Sequence, residues 1–166
     1  MSITQVPGSM LLDASITQAK LGANVAGNGP AFGATLTAAA QSIPHATSTK
    51  IAFDTEEFDT NSNFASSRFT PTVAGYYQIN GSALMSSGTG GVCEAYLYKN
   101  GAAFKAGQST ATIAGGQTVV AVESLIYLNG TTDYVELFFN QTTGGAQTVA
   151  NDARYTYMNG FLARSA

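Results

Sequence analysis

The sequence contains few charged residues, a single cysteine, a single histidine and no tryptophan. Charged residues make up only 10 % of its 166 residues, whereas 45 % are hydrophobic. A disordered chain has the opposite balance, and about a quarter of the residues in a soluble domain are usually charged. The chain is therefore expected to fold with a surface made mostly of Ser, Thr, Asn, Gln and Gly. Such a surface is typical of a chain whose sides are covered by partner subunits, so we expect an oligomer.

Several classes of partner and compartment are disfavoured by what is missing. The seven Lys and Arg residues are scattered and the net charge is −3, so a nucleic-acid partner is not expected. No run of about 20 apolar residues is present, so membrane insertion is not expected either. Cys93 has no second cysteine with which to form a disulfide. Residues 1–5 do not resemble the start of a secretory signal, so we expect synthesis in the cytoplasm of a host cell.

Residues 1–28 differ from the rest of the chain because they contain no aromatic residue. The spacing within residues 12–19 allows one or two turns of amphipathic helix, which is too short to be stable alone. We expect this segment to attach the chain to another protein or to thread into a trimeric stalk. The breaker cluster at residues 27–30 predicts the boundary with a head domain over residues 29–166. The predicted anchor residues are Ile3, Val6, Leu11, Leu12, Ile16 and Leu21.

Beyond residue 30 the pattern is that of successive strands. Apolar and polar residues alternate over residues 75–85, which is the period of a half-buried strand. Further strands are predicted over residues 92–99, 117–128, 134–140 and 154–164. Asn-Gly pairs at 100–101 and 129–130 predict hairpin turns, because both turn residues of such hairpins need a positive φ. Short strands with Gly-rich turns and no helical periodicity predict an all-β sandwich or jelly roll.

One pattern of aromatic residues and glycine is more specific. It resembles the signature of the globular head of complement component 1q, with its positions filled in order by Phe53, Asp59, Phe64, Phe69, Gly75 and Tyr77. Residues 29–32, 97–101 and 158–162 are similar to the opening strand, central hairpin and closing strand of that family. The interval from Phe64 to Phe69 is two residues shorter than is usual there. Ile79 and Gly81 also stand where the family has aromatic residues.

The resemblance implies a ten-stranded jelly-roll sandwich shared with tumour necrosis factor, assembled as a homotrimer that binds rather than catalyses. The chain has no collagen repeat, which separates it from the secreted animal branch. Residues 8–21 are similar to short segments near the start of phage fibre proteins. A trimeric phage tail fibre or virion appendage is therefore expected. Its core and trimer interface would include Phe53, Phe64, Phe69, Tyr77, Tyr96, Tyr127, Phe138, Tyr157 and Phe161.

Receptor contact is expected in three Gly-, Ser- and Thr-rich stretches at residues 86–91, 107–116 and 141–149. Loops on a rigid β scaffold commonly carry recognition, and the partner would be a host-surface glycan or protein. None of the three has the strand, lysine and helix context of a phosphate-binding loop. The residues predicted to take part are Ser86, Thr89, Ser109, Thr112, Gln141, Thr142 and Gln147.

Catalysis, a metal and a cofactor are not expected. His45 lies in a Ser- and Thr-rich loop without a nearby carboxylate, and Cys93 lies within a strand, where a buried thiol is the usual outcome. The acidic residues between Asp54 and Asp59 have enough oxygens for a calcium ion, but a solvated loop explains them equally.

Two glutamates in apolar strands, Glu123 and Glu136, are expected to point outwards. If one of them is buried in a subunit interface, Arg154 or Lys99 is the expected partner, because an unpaired buried charge is costly.

Three other functions stay open. The chain is alternatively a capsid or tail decoration protein without a receptor, or a bacterial surface or spore adhesin of the same family. An enzyme would have to be a sugar-cleaving fibre tip, which normally needs paired carboxylates in a groove.

Overall fold

The computed structural model of the chain describes residues 27–86, 90–112 and 114–166. Within these ranges the chain forms thirteen strands and no helix, so the all-β prediction is confirmed. No helix in this part of the chain is long and apolar enough to cross a membrane. The strands are β1 (Ala31–Thr35), β2 (Gln41–Ile43), β3 (Thr49–Lys50), β4 (Thr55–Asp59), β5 (Phe64–Ala65), β6 (Arg68–Phe69), β7 (Gly75–Met85), β8 (Val92–Lys99), β9 (Ala102–Ala111), β10 (Thr118–Leu128), β11 (Val135–Gln141), β12 (Gln147–Val149) and β13 (Tyr157–Ser165).

The strands form two antiparallel sheets packed face to face. Sheet A has seven strands in the order β2-β12-β7-β13-β1-β4, and β10 also pairs with β7. Sheet B has six strands in the order β5-β6-β11-β8-β9, and β3 also pairs with β11. The count exceeds the ten strands implied by the resemblance because β3, β5 and β6 are pieces of only two residues. The arrangement is the predicted jelly-roll sandwich.

The core lies between the two sheets and follows from the alternation of each strand. In β7, Tyr77 and Ile79 are fully buried, whereas Tyr76, which precedes Tyr77, is exposed. Rings from both sheets meet at one end of the core. Phe32 of sheet A stacks on Phe69 of sheet B with centroids 4.3 Å apart, and Phe69 meets Tyr77 edge to face at 5.4 Å. These contacts join the sheets by packing alone.

The longest predicted strands are confirmed, with β7 and β8 beginning and ending at the predicted residues. The turn at residues 100–101 is also confirmed. Asn100 and Gly101 have φ angles of 53° and 80°, and they join β8 to its antiparallel neighbour β9.

Three sequence predictions are wrong in detail. Residues 129–130 do not form a hairpin, because β10 pairs with β7 in sheet A whereas β11 pairs with β8 in sheet B. The segment instead carries the chain from one sheet to the other. Residues 107–111, part of the loop predicted over residues 107–116, belong to strand β9. The last strand begins at Tyr157 and not at 154, since residues 152–156 form a turn closed by hydrogen bonds to the carbonyl of Asp152. The predicted helix and anchor residues within 1–28 lie outside the described residues.

Candidate interaction surfaces

The outer face of sheet A carries large apolar side chains that a solvated monomer would not be expected to expose together. Five of them, which we call the sheet A patch, are between 41 % and 55 % exposed: Phe58, Tyr76, Leu125, Tyr127 and Phe161. The strand register places Tyr76 opposite Tyr127, with ring centroids 5.4 Å apart. Gln78 lies between Leu125 and Phe161 in the next row.

A glycine shapes one edge of this patch. The Phe58 ring lies over Gly33, where a Cβ atom would be 2.7 Å from Phe58 Cε1. Any side chain at residue 33 would push the ring away. The absence of a side chain therefore lets the Phe58 ring lie flat on sheet A and extends the apolar surface to strand β4.

Polar side chains occupy the next row of the same face. Asn80 Nδ2 donates a hydrogen bond to Asn159 Oδ1 at 2.9 Å, and Gln78 Nε2 donates to Asn80 Oδ1 at 3.1 Å. Glu123 lies opposite Asn80 in the register and is exposed, as predicted for an outward position. Tyr157, which was assigned to the core or interface, is half-buried beside this row. The face therefore combines apolar and hydrogen-bonding surface.

Apart from Tyr157, the aromatic residues predicted for the core and interface divide into three groups. Phe69 and Tyr77 are fully buried, and Phe53 and Phe64 pack against the core from its edge. Tyr127 and Phe161 belong to the sheet A patch. Tyr96 and Phe138 lie on the outer face of sheet B, opposite each other in the register of β8 and β11.

That outer face of sheet B is a second aromatic surface. The Tyr98 and Phe138 rings stack with centroids 3.8 Å apart. The Tyr96 hydroxyl donates a hydrogen bond to Glu94 Oε2. This bond, together with burial, raises the pKa of Tyr96 to about 12. Tyr96 is therefore a neutral donor at physiological pH.

Glu136 lies beside these rings and is only 3 % exposed. Its Oε1 atom accepts hydrogen bonds from Lys50 Nζ at 3.2 Å and from Arg68 Nε at 3.0 Å. The Arg68 guanidinium also stacks on the Tyr134 ring, 3.7 Å from its centroid. Burial of Glu136 is therefore compensated by two cations from the neighbouring strands.

Within the chain, Glu136 pairs with neither Arg154 nor Lys99, the partners expected for a glutamate buried in a subunit interface. Lys99 pairs with Asp133 at 3.0 Å, and Arg154 pairs with Asp152 at 2.7 Å. Lys50 and Arg68 are 86 and 68 positions from Glu136, so no local spacing in the sequence pointed to them.

We expect Glu136→Gln to lower the free energy of unfolding by about 1–2 kcal/mol, because hydrogen bonds to a charged group contribute about 1.5–3 kcal/mol and both cations are partly solvated. Urea denaturation at pH 7 measures the difference. Glu57→Gln, a substitution of an exposed glutamate on β4, is the matched control and should leave the midpoint unchanged. Equal midpoints for the two variants would show that the ion pairs contribute nothing to stability.

Two of the predicted receptor residues have side chains that lie inside the protein. Gln141 is fully buried, and its Nε2 donates to the carbonyls of Ile43 at 3.1 Å and Gly145 at 2.8 Å. It supports the adjoining loop and has no surface to offer a receptor. Thr112 is 8 % exposed, and its backbone N donates to the Gly91 carbonyl at 3.0 Å.

The other predicted receptor residues are at or near the surface. Ser109 is exposed, but it lies on strand β9 and not in a loop. Thr142 is exposed, and its Oγ1 accepts a hydrogen bond from Val92 N at 3.1 Å. Ser86 and Gln147 are half-buried. Thr89 lies outside the described residues. Receptor contact by the four accessible residues stays a prediction.

The residues considered for catalysis or metal binding have ordinary structural surroundings. His45 is exposed, and its Nδ1 accepts a hydrogen bond from Gly144 N at 3.0 Å. Burial, together with the nearby Glu94 carboxylate, raises the pKa of the Cys93 thiol to about 11. A thiol with so high a pKa carries little of the nucleophilic thiolate at neutral pH. Within residues 27–86, 90–112 and 114–166, no three His, Cys, Asp or Glu side chains form a group that would hold a metal.

Asp54 of the acidic stretch closes the turn after β1. Its carboxylate accepts hydrogen bonds from Thr37 N at 2.9 Å and Ala38 N at 2.8 Å. Partial loss of hydration tends to raise the pKa of Asp54, but these bonds and those from the Thr37 and Thr55 hydroxyls outweigh it and lower the pKa to about 2.

We expect Asp54 to contribute stability that is fully present above about pH 4 and is lost as the pH falls towards 2. The sign follows because the folded protein holds this carboxylate ionised at pH values where the unfolded chain binds a proton. Melting temperatures of Asp54→Asn and the parent protein between pH 2 and 7 test this, and the variant should show the shallower acid decline. Glu56→Gln, on the exposed edge strand β4, serves as control. A decline as steep as that of the parent would contradict this role.

The fold can now be compared with known proteins. No protein-family model matches the sequence, and no curated protein is similar to it in sequence. Solved structures do match. The globular domain of zebrafish complement 1qA protein aligns with 82 % of this chain and 99 % of its own, at 18 % identity and a TM-score of 0.59. The tumour necrosis factor Eiger from S. frugiperda aligns with 82 % of this chain and 93 % of its own, at 7 % identity and a TM-score of 0.62.

A phage protein also has this architecture. The PRD1 vertex protein P5 aligns with 81 % of this chain and 97 % of its own, at 14 % identity and a TM-score of 0.56. At such low identities the similarity concerns the fold. The alignments cover most of the described residues and nearly the whole of each compared chain. The described part of the chain therefore adopts the jelly-roll fold of the complement 1q globular head and of tumour necrosis factor, a fold that a phage vertex protein shares.

Proposed function

We propose that the chain is a phage virion structural protein, a homotrimeric fibre or appendage whose jelly-roll head binds a receptor on the host surface. Residues 1–28 would attach it to another tail or capsid protein. The proposal is one of binding and not of catalysis. The similarity to the PRD1 vertex protein supports a place on the virion, and the similarity to the complement 1q head supports a binding head.

The sheet A patch is the observation that supports the proposed assembly of subunits. Contiguous exposed apolar surface on a soluble protein generally marks an interaction site, and tyrosine with other aromatic residues is enriched in protein interfaces. The patch lies across β4, β7, β10 and β13 and so faces one direction. Three copies brought together through this face would bury its rings. The outer face of sheet B and the loops at the ends of the sandwich would stay open to the host.

Trimeric assembly also gives the mechanism of adhesion. Three identical heads present three copies of each binding site, and several appendages on one particle multiply them further. When one site is occupied, the others bind at a high effective concentration, so weak single contacts add up to firm attachment. A binding site of low affinity on each head is therefore sufficient for the proposed role.

Light scattering on the purified full chain and on residues 29–166, followed by binding of fluorescently labelled protein to candidate host cells, tests the proposal. We expect about 51 kDa for a trimer of 17.1 kDa chains, a correspondingly smaller trimer without the tail, and saturable binding to host cells. Cells of an unrelated strain are the control. A trimer that binds no candidate host would favour a decoration protein without a receptor, and a monomer would contradict the assembly.

A further inference from the structure

A polar pocket of about 460 Å³ opens beside Glu136, outside every segment that the sequence had indicated for receptor contact. Its volume lies within the range of about 300–1,000 Å³ that is usual for small-ligand sites. It lies at strands β3, β5 and β6 of sheet B, and none of its lining residues belongs to the sheet A patch. Its lining residues are Lys50, Ser62, Asn63, Ala65, Ser66, Arg68, Thr70 and Thr72.

The pocket has an excess of positive charge in a chain whose net charge is −3. Lys50 and Arg68 share the single carboxylate of Glu136, whereas Lys99 and Arg154 each pair with an aspartate of their own. Both cations of the pocket are partly open to solvent, with 34 % and 41 % of their side chains exposed. One positive charge is therefore left over for a ligand.

The two cations are held in place before any ligand arrives. Arg68 is fixed by the Tyr134 ring below it and by Glu136 Oε1 at its edge. Lys50 Nζ donates to the Ser66 carbonyl at 3.0 Å as well as to Glu136. An arginine held in one plane can present its remaining N–H groups to an oxyanion as a fork, at little cost in side-chain entropy.

The rest of the pocket is also rigid and rich in hydroxyl groups. Asn63 Oδ1 accepts a hydrogen bond from Thr72 N at 3.2 Å, and Thr70 N donates to the Asn63 carbonyl at 2.8 Å. Ser66 has a φ angle of 51° because it forms, together with Ser67, the two-residue hairpin turn that joins β5 to β6. The serine and threonine hydroxyls match a ligand that itself carries hydroxyl groups.

We propose that this pocket binds an acidic sugar unit whose carboxylate lies against Lys50 and Arg68 and whose hydroxyls contact the serine and threonine side chains. The inference rests on the proposed function, since the sugar would belong to a glycan on the host surface. It adds the chemical class of the receptor and the site that recognises it. Glu136 is a positioning residue, because it acts through the two cations and does not face the ligand.

Amide chemical-shift titrations of the full chain at low ionic strength test the ligand class. Glucuronate should give saturable shifts at Lys50 and across residues 62–72, and neutral glucose should give none there. Equal responses to both sugars would remove the role assigned to the cations. The same response to acetate would show binding of an anion without recognition of the sugar. A response to glucose 6-phosphate but not to glucuronate would overturn the assignment of a carboxylate.

Two substitutions test the residues. Lys50→Gln should weaken glucuronate binding by about tenfold, the effect expected for loss of one charge-assisted hydrogen bond. Lys50→Arg, which keeps the charge, should restore most of it. Lys105→Gln removes the same charge from the exposed strand β9 and should bind like the parent. Arg68→Gln is informative only if its melting temperature matches that of the parent, and for this reason Lys50 is the primary site. Unchanged binding in Lys50→Gln would overturn the proposal.

The same variants separate this inference from the proposed function. If Lys50→Gln attaches to host cells as well as the parent does, the receptor function stands and the pocket assignment fails. If glucuronate binds at the pocket but the parent does not attach to cells, the pocket is real and its placement on a host receptor fails. Loss of both in Lys50→Gln, with Lys105→Gln unaffected, supports both.

Discussion

Leu125→Asp is expected to convert the proposed trimer of about 51 kDa (three times 17.1 kDa) into monomers. Leu125 is the most exposed side chain of the sheet A patch at 55 %, and the register places it in the row that holds Phe161. In a trimer formed through this face, each of the three subunits would bury one aspartate carboxylate among the apolar side chains of the patch. A charge buried without a partner costs several kcal/mol, and here the cost is repeated at every subunit contact.

The monomer is folded or unfolded depending on how much of its stability comes from assembly, since subunit association stabilises the folded chain by mass action. Light scattering and far-ultraviolet circular dichroism on the same sample distinguish these cases. Val92→Asp is the matched control. Val92 is an exposed apolar residue on β8, on the outer face of sheet B, where the same charge should leave the trimer intact. A Leu125→Asp variant that stays trimeric would show that the protein does not assemble through this face.

The aromatic pattern could be recognised in the sequence because each position meets a local steric or hydrogen-bonding requirement. A Cβ atom at Gly75 would lie 2.5 Å from the Arg164 carbonyl oxygen, so no other residue fits where β7 and β13 begin to pair. Asp59 Oδ2 accepts a hydrogen bond from Phe64 N at 2.6 Å and so fixes the turn between β4 and β5. Tyr77 fills the core with its ring, and its hydroxyl donates to the Val73 carbonyl at 2.7 Å. The spacing of these residues along the sequence is therefore set by local contacts in the fold.

Features that depend on distant parts of the chain could not be predicted in the same way. Strand β9 has almost no buried residue, so it lacks the alternation that identified β7. The Asn129-Gly130 pair is chemically the same as the pair that forms the hairpin at 100–101. Here the Asn129 side-chain oxygen accepts hydrogen bonds from three successive backbone N–H groups, of which the last is that of Asp133 at 2.9 Å. A turn sequence can therefore close a hairpin or a crossing between sheets, and only the strand pairing decides.

The proposed sugar pocket could not be predicted from the sequence for a related reason. Lys50, Arg68 and Glu136 come from three strands that meet only in the folded sheet, and each looks ordinary in its own segment of sequence. The loops predicted for receptor contact stand out by their composition alone. Gln141 shows the weakness of that choice, because a polar residue in a Gly- and Thr-rich stretch serves equally well as a buried support for the loop.

Phe69→Ala is expected to lower the free energy of unfolding by about 3–5 kcal/mol, the usual range for removing a large aromatic side chain from a packed core. Phe69 is fully buried and touches ring neighbours from the opposite sheet, Phe32 at 4.3 Å and Tyr77 at 5.4 Å between centroids. The cavity would lie where aromatic rings of sheet A pack against sheet B. The backbone of β6 is only two residues long and pairs with β5 and β11.

The measurement is chemical denaturation of parent and variant at one protein concentration, because subunit dissociation accompanies unfolding of an oligomer. Phe104→Ala removes the same side chain from β9, where the ring is 47 % exposed, and its effect should be much smaller. The proposed sugar pocket adds a second readout, since Arg68 is the neighbour of Phe69 in the same strand. If the aromatic core holds β6 in position, Phe69→Ala should also weaken glucuronate binding under conditions where the variant is still folded. A small loss of stability with unchanged binding would show instead that β6 is held by its hydrogen bonds to β5 and β11.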